Sequence, residues 1–228
     1  LERAFLNCQK LQEHMRFLLN KGGLYKVYNG NLLYHGCVPL KEDGSMKSVR
    51  IYGRSYKGES LYEVLESYVR KGFYAVDMKE QERGKDMMWY IWLHENSPLF
   101  GKDKMATFER YFIAEKETHK EKKNPYYRLL EDEKVVNGIL REFGLSETES
   151  HIINGHVPVK TKDGEKPIKC NGKVLVIDGG FSRAYQKETG IAGYTLIYNS
   201  YGLILAAHES FESTEAAIEK ESDIHSDS

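Results

Sequence analysis

Apolar and polar residues alternate along the chain with spacings that change from block to block. Residues 2–20 carry apolar side chains at helical intervals, and Gly22-Gly23 predicts where that helix ends. Two short apolar runs, 24–28 and 32–35, then flank Asn29-Gly30, which is a strong signal for a β-hairpin. The start of the chain is therefore predicted to be a helix followed by strands.

Helical spacing dominates the middle of the chain, and strand-like runs return after it. From 58 to 145 the apolar residues favour helices, one of which is predicted to pack Trp89 and Trp92 in the core. Ser213 predicts the start of a short final helix. Short apolar runs separated by glycine predict strands at 151–154, 173–177, 194–198 and 203–207. We expect an α/β organisation in three parts. Residues 1–57 form the N-terminal helix and a first strand block that carries His35, 58–145 form a helical insertion, and 146–228 form a second strand block that carries His156 and ends in a helix.

Composition narrows the classes of function. Lys and Arg total 33 against 34 Asp and Glu, and the resulting net charge of −1 argues against a general nucleic-acid binder. The sequence shows neither an apolar stretch of the roughly 20 residues that a membrane span requires nor a signal-peptide pattern. Its three cysteines are scattered, which favours reduced thiols and a cytoplasmic location. Both ends lie inside helix-like or polar runs, so we expect a piece of a longer protein.

Two histidines close apolar runs beside a glycine. His35 ends the run that begins at 32, and His156 follows the run 152–154. Neutral imidazole at a strand end can bind a metal ion, so the pair indicates a metal site. The alternative, that one or both only hydrogen-bond at a turn, stays open. Asp178 ends a third run, where it could orient a ligand histidine or cap a turn at 179–180.

The helical insertion contains a basic segment. Between 98 and 128 there are eight Lys or Arg residues against five Asp or Glu. Arginine binds phosphate through paired contacts, lysine through a point charge, and tyrosine hydroxyls can bind sugar oxygens. Many of these charges could equally form a solvated helix face. The candidates for binding a phosphate or a sugar are Arg54, Lys102, Lys104, Arg110 and Tyr111.

Stretches around the two histidines resemble a known family. The sequence His-Gly-Cys-Val-Pro at 35–39 and the sequence Gly-His-Val-Pro at 155–158 resemble the late histidine elements of the calcineurin-like metallophosphoesterases. Val-Ile-Asp-Gly-Gly at 176–180 resembles the strand and turn that follow them. The chain resembles more closely still the class III fructose-1,6-bisphosphatases of Gram-positive and gut anaerobic bacteria, over 28–37, 97–105 and 190–202.

This resemblance implies a fold and a reaction. The fold would be the C-terminal half of a two-sheet metallophosphoesterase sandwich with an inserted helical cap. His35 and His156 would hold the second ion of a binuclear manganese site. The whole protein would hydrolyse the 1-phosphate of a sugar bisphosphate, fructose 1,6-bisphosphate, and so produce fructose 6-phosphate in gluconeogenesis.

The carboxylate-bearing motifs that the family places before these histidines do not occur in this sequence. The resemblance therefore implies that the catalytic residues lie outside the chain and that the chain alone is inactive. Missing strands would also leave an apolar edge open to self-association. Two alternatives remain: another metallophosphoesterase, such as a protein or dinucleotide phosphatase, and a non-catalytic binding fragment.

Overall fold

The computed structural model describes residues 1–178, 189–190, 193–208, 213–219 and 225–227. Two compact units are present. The first comprises Leu1–Val27 and Cys37–Tyr127, and the second comprises Tyr28–Gly36 and Arg128–Ser228. Helices and several sheets occur together, so the protein belongs to the predicted mixed α/β class. None of the described helices combines the length and the hydropathy that crossing a membrane requires.

The described α-helices contain 4 to 17 residues and the described strands 2 to 7 residues. In chain order they are α1 (Glu2–Leu6), α2 (Gln9–Lys21), β1 (Tyr25–Tyr28), β2 (Asn31–Tyr34), β3 (Val49–Ile51), β4 (Arg54–Tyr56), α3 (Gly58–Tyr74), α4 (Met78–Leu93), α5 (Thr107–Phe112), α6 (Tyr126–Leu129), α7 (Glu133–Glu142), β5 (Ile152–Asn154), β6 (Ile168–Lys169), β7 (Val174–Val176), β8 (Gly193–Asn199), β9 (Gly202–His208), α8 (Thr214–Glu219) and β10 (His225–Asp227).

The first unit contains a hydrophobic cluster beside the antiparallel hairpin of β3 and β4. Strand β3 and the helices α3 and α4 supply its buried residues. Apolar side chains at intervals of three and four along α3 face this cluster, as the helical pattern predicts. The cluster consists of Val49, Ile51, Leu61, Leu65 and Ile91.

Helices α3 and α4 cross at a pair of glycines. A Cβ atom built on Gly84 would lie against the backbone N and Cα of Gly72, well inside van der Waals contact. It would also lie 2.5 Å from the backbone oxygen of Tyr68. The backbones of the two helices can approach this closely because neither glycine carries a side chain at the crossing.

The second unit contains the strands β2, β5, β7 and β6, which are neighbours in that order in one sheet. Strands β2, β5 and β7 are parallel neighbours, with Leu33 opposite Ile153 and Ile153 opposite Leu175. Strand β6 pairs with β7 in the antiparallel direction. The long hairpin of β8 and β9 forms a separate sheet together with β10. Every residue of β5 and β7 is buried, because both faces of central parallel strands are covered, and all of them except Asn154 are apolar.

Several predicted boundaries agree with the structure. Asn29 and Gly30 both have positive φ, 49° and 73°, as a two-residue hairpin turn requires. The Ser213 hydroxyl accepts a hydrogen bond from the amide of Ala216, so the predicted cap of the last helix is confirmed.

Other predictions differ from the structure. The single helix predicted at 2–20 is divided into α1 and α2, and neither of these fully described helices contains a buried residue. The prediction that Trp89 and Trp92 pack in the core is wrong, because their side chains are 62% and 64% exposed. Helix α4 turns Ile91 towards the core, and positions 89 and 92 lie far from Ile91 around the helix.

We predict that Gly84→Ala lowers the free energy of unfolding by about 3 kcal/mol, because the new methyl group forces α3 and α4 apart. Urea unfolding followed by circular dichroism measures this change. Gly138→Ala is the matched control, because a Cβ at Gly138 in α7 meets no described atom within 4 Å. There the loss of a helix-interior glycine should stabilise the protein by about 0.5–1 kcal/mol. Equal stability of the two variants would contradict the close crossing.

Candidate metal centre

The parallel strands of the second unit bring three polar residues to one edge of the sheet. His35 follows β2, His156 follows β5 and Asp178 follows β7. Because these strands are parallel neighbours, their carboxyl ends lie at the same edge, where ligands commonly bind in sheets of this kind. Pairing in the sheet therefore assembles residues that are more than a hundred positions apart in the sequence.

The two imidazole rings are in direct contact. The Nε2 atom of His35 lies 3.1 Å from the Nδ1 atom of His156, and the rings meet nearly edge to face at a centroid distance of 5.0 Å. A hydrogen bond at this distance requires one ring to donate its proton to the other. Two imidazole nitrogens bound to one ion at about 2.1 Å would be separated by about 3.0–3.4 Å, so the pair also fits two positions of one coordination sphere.

The backbone at His156 holds its side chain in an uncommon orientation. His156 has a φ of 68°, and the Val157 amide donates to the Gly155 carbonyl over 2.8 Å. Together these features define a γ-turn with positive φ, which is rare and strained for a residue other than glycine. The Gly155 amide donates to the His35 carbonyl over 3.0 Å, so the same turn is tied to the other histidine.

Gly155 lies beside the side chains of Asp178 and His35. A Cβ atom there would lie 3.5 Å from the Cβ of Asp178, 3.9 Å from its Oδ2 atom and 3.8 Å from Nδ1 of His35. The Asp178 carboxylate and the Nδ1 edge of His35 thus lie close to the same point, while Nε2 of His35 faces His156. The alternative role of Asp178, capping a turn at 179–180, concerns residues outside the described ones.

The donor set fits only part of a metal site. Within the residues that the structure describes, no group of three or more His, Cys, Asp or Glu side chains could hold a metal ion. Two imidazoles can supply two ligands, whereas Mn²⁺ prefers several oxygen ligands. Further ligands would have to come from outside the described residues, from water or from a substrate.

The basic candidates lie in the first unit, where three of them belong to one hydrogen-bonded loop. The Nζ atom of Lys102 is 2.7 Å from the carboxylate of Glu121, and an Arg110 guanidinium nitrogen is 3.6 Å from it. Lys104 donates to the Thr118 carbonyl over 2.6 Å. Arg54 is exposed on β4, outside this loop, and Tyr111 is 79% exposed on α5. Lys102 and Lys104 therefore both have structural partners.

Glu121 organises this loop. Burial alone would raise the pKa of its carboxyl group, but hydrogen bonds from Lys102 and from the Ala106 amide, together with the charges of Lys102 and Arg110, lower the pKa below its ordinary value. The folded loop consequently favours the ionised form of Glu121. The sequence pattern does not distinguish Glu121 from the other acids of the segment, because its partners are distant along the chain.

A cavity of about 330 Å³ in the first unit is lined by several lysines. Lys102, one of the candidates for binding phosphate, is among them. Acidic residues at the rim reduce the positive charge but do not cancel it, since five lysines face three acids. These charged lining residues are Lys41, Lys47, Lys102, Lys122, Lys123, Glu42, Glu95 and Asp103.

Asn154 also lies beside the histidine pair, although the sequence pattern does not single it out. Asn154 is 2% exposed at the end of β5, and its Nδ2 atom donates to the Gly36 carbonyl over 3.3 Å. The available signal was a polar residue that ends an apolar run directly before Gly155 and His156. Taken alone, that signal fits an ordinary strand end equally well.

Comparison with known proteins gives consistent matches over the whole chain. The model of the family described as Firmicute fructose-1,6-bisphosphatase matches residues 1–228. The chain is 57% identical to fructose-1,6-bisphosphatase class 3 1 of Clostridium beijerinckii over 224 residues, and 60% identical to fructose-1,6-bisphosphatase class 3 of Clostridium novyi over 225 residues. These alignments cover 98% of the chain but 34% of each relative, so the chain spans about a third of their length. No solved structure matches the chain significantly.

We predict that Glu121→Gln lowers the free energy of unfolding by about 1–2 kcal/mol at neutral pH, because charge-assisted hydrogen bonds are lost. A carboxyl whose pKa is lowered by folding stabilises the protein above its unfolded pKa and loses that contribution as the pH falls through the folded value. The difference between the variant and the wild type should therefore shrink in acid. Urea unfolding at several pH values measures it.

Glu117→Gln is the control for this prediction. Glu117 is 2.7 Å from Lys120, but both side chains are largely exposed, at 82% and 71%. An exposed ion pair contributes about 0.5 kcal/mol or less. A similar loss in both variants would contradict the organising role of Glu121.

Proposed function

We propose a function for this chain from one premise: it belongs to the Firmicute fructose-1,6-bisphosphatase family. The protein of which it forms a part hydrolyses the 1-phosphate of fructose 1,6-bisphosphate and releases fructose 6-phosphate, a step of gluconeogenesis. The match of the family model to every residue of the chain carries this proposal. The class 3 names of relatives that are 57–60% identical support it.

The histidine pair is proposed to bind the catalytic metal. Nε2 of His35 and Nδ1 of His156 would each present a lone pair to the same ion once the hydrogen bond between them opens. That ion, proposed to be Mn²⁺ as one of two, would polarise a phosphoryl oxygen and lower the pKa of water. The remaining ligands and the catalytic groups are proposed to lie outside this chain.

Asp178 is proposed to orient His35. If the carboxylate accepts the proton on Nδ1 of His35, Nε2 is left unprotonated and aimed at the metal position. Gly155 lies beside both groups, because a Cβ atom there would be in ordinary van der Waals contact with each of them. Asp178 thus would fix the tautomer without binding the ion.

Substrate recognition is proposed to involve the basic loop of the first unit. Lys102 lines the cavity and could bind the phosphate that does not react, at the cost of part of its pairing with Glu121. Arg110 and Tyr111 are exposed on α5, and Arg54 is exposed on β4. Lys104, held by the Thr118 carbonyl, is better suited to shape the loop than to reach a ligand.

The finer features of the fold also remain proposals. They are a two-sheet metallophosphoesterase sandwich completed by residues outside this chain, and a helical cap at 58–145. Self-association through an edge strand that lacks its partner would follow from such an incomplete sandwich. A cytoplasmic location is in keeping with three cysteines that are all free thiols in the structure.

We predict that this chain alone releases no phosphate from fructose 1,6-bisphosphate with Mn²⁺, whereas a form extended at its N-terminus does. In the extended form His35→Ala and His156→Ala should each lower the rate at least about 100-fold, since each removes a ligand of the ion. A colorimetric phosphate assay measures the rate, and removal of the metal with a chelator should abolish it.

His14→Ala is the control, because His14 is exposed on α2 in the first unit. A panel that includes a phosphoprotein and a dinucleotide polyphosphate tests the other metallophosphoesterase activities. Preference for either of these substrates would overturn the proposed specificity. Activity in the short chain that survives both histidine substitutions would show that the metal centre lies elsewhere.

A further inference from the structure

Asn154 lies at the centre of the sheet edge that carries the two histidines. It is the last residue of β5, two positions before His156, and β5 has β2 on one side and β7 on the other. Only 2% of the residue is exposed. A polar side chain in this position, between two apolar strands, needs hydrogen-bond partners in the protein.

Hydrogen bonds connect Asn154 to the segments on both sides. Its Nδ2 atom donates to the carbonyl of Gly36, the residue after His35, over 3.3 Å. Its backbone carbonyl accepts from the amide of Ile177, the residue before Asp178, over 2.9 Å. The two hydrogen-bond partners of Asn154 are therefore the sequence neighbours of His35 and Asp178. His156 lies two positions after Asn154 in the same segment.

The amide of Asn154 is only half used. Its Oδ1 atom is buried and has no hydrogen-bond partner among the described residues. Leaving a buried acceptor unpaired costs about 1–3 kcal/mol. If position 154 served only to pack the sheet, a leucine of similar size would fill it without this loss of free energy.

Asn31 provides the contrast within the same sheet. Asn31 is 6% exposed at the start of β2, at the opposite end from the histidine pair. Its Oδ1 atom accepts from the backbone amide of His151 and lies 3.0 Å from the ring Nδ1 of that residue, and its Nδ2 atom donates to the Asn29 carbonyl. Both ends of this amide are engaged, as expected of a structural residue.

We infer that Asn154 is a positioning residue that sets the separation of His35 and His156 by holding the Gly36 carbonyl against the end of β5. The Gly155 amide fixes the carbonyl of His35 itself. Asn154 fixes the next peptide, so the two peptide groups that follow the His35 side chain are both held. Because the nitrogens are 3.1 Å apart, a displacement of about 1 Å at Gly36 would take the pair out of the range that one ion can bridge.

The inference rests on the proposed function only in respect of the metal, so one of its two tests omits the ion. In imidazole NMR spectra, His156→Gln should shift the ring signals of His35, since the two rings are in contact. In an Asn154→Leu background, the substitution His156→Gln should shift the ring signals of His35 by less than half of that amount. In an Asn31→Leu background the full shift should remain, although stability falls.

The second test measures Mn²⁺ affinity by calorimetry, in the N-terminally extended form. Asn154→Leu should weaken binding at least about tenfold, as expected when a group supporting metal ligands is lost. Asn31→Leu should leave the affinity within twofold of the wild type. Asn154→Asp keeps the shape of the side chain but replaces the Nδ2 donor by an oxygen that repels the Gly36 carbonyl. This variant should therefore reduce the NMR shift of His35 as the leucine variant does. It tests the inference even if the leucine variant fails to fold.

The outcomes separate the inference from the proposed function. If the wild type binds no Mn²⁺ while both Asn154 variants uncouple the two rings, the positioning role stands and the metal proposal fails. If the rings stay coupled in both Asn154 variants, or if Asn31→Leu uncouples them equally, Asn154 has no special role and the inference is overturned.

Discussion

Parallel pairing of three short strands is the constraint on which the candidate site depends. Strands β2, β5 and β7 end at one edge of the sheet, and His35, His156 and Asp178 follow them within one or two residues. Hydrogen bonds between neighbouring backbones bring His35 and His156 within 3.1 Å although 121 positions separate them. A slip of one residue in either register would turn the side chains of a strand to the other face of the sheet and separate the pair.

The candidate site contains two energetically unfavourable features that folding of the sheet does not require. His156 adopts positive φ in a γ-turn, and the buried acceptor of Asn154 has no partner among the described residues. Each feature costs free energy of order 1–3 kcal/mol. Such costs occur together where a protein must present side chains in a fixed geometry, and here both lie within three consecutive residues.

In the basic loop, the side chains that could bind a phosphate also hold the loop together. Lys102 and Arg110 are attractive phosphate ligands by charge, yet both approach the carboxylate of Glu121. A phosphate entering the lysine-lined cavity would compete with that carboxylate for Lys102. The loop can therefore keep its shape without a ligand and still offer positive charge to one, provided that Glu121 stays ionised.

The sequence by itself determined the mixed α/β class, the turn at Asn29-Gly30, the cap at Ser213, and the family, because periodicity, turn chemistry and motifs are local properties of the chain. It also singled out His35 and His156, each beside a glycine at the end of an apolar run. Only the tertiary structure decided that the two rings touch, that Asn154 joins three strand ends, that Glu121 holds the basic loop and that Trp89 and Trp92 are exposed. These facts depend on strand order, register and helix rotation, which are set by contacts between residues far apart in the sequence.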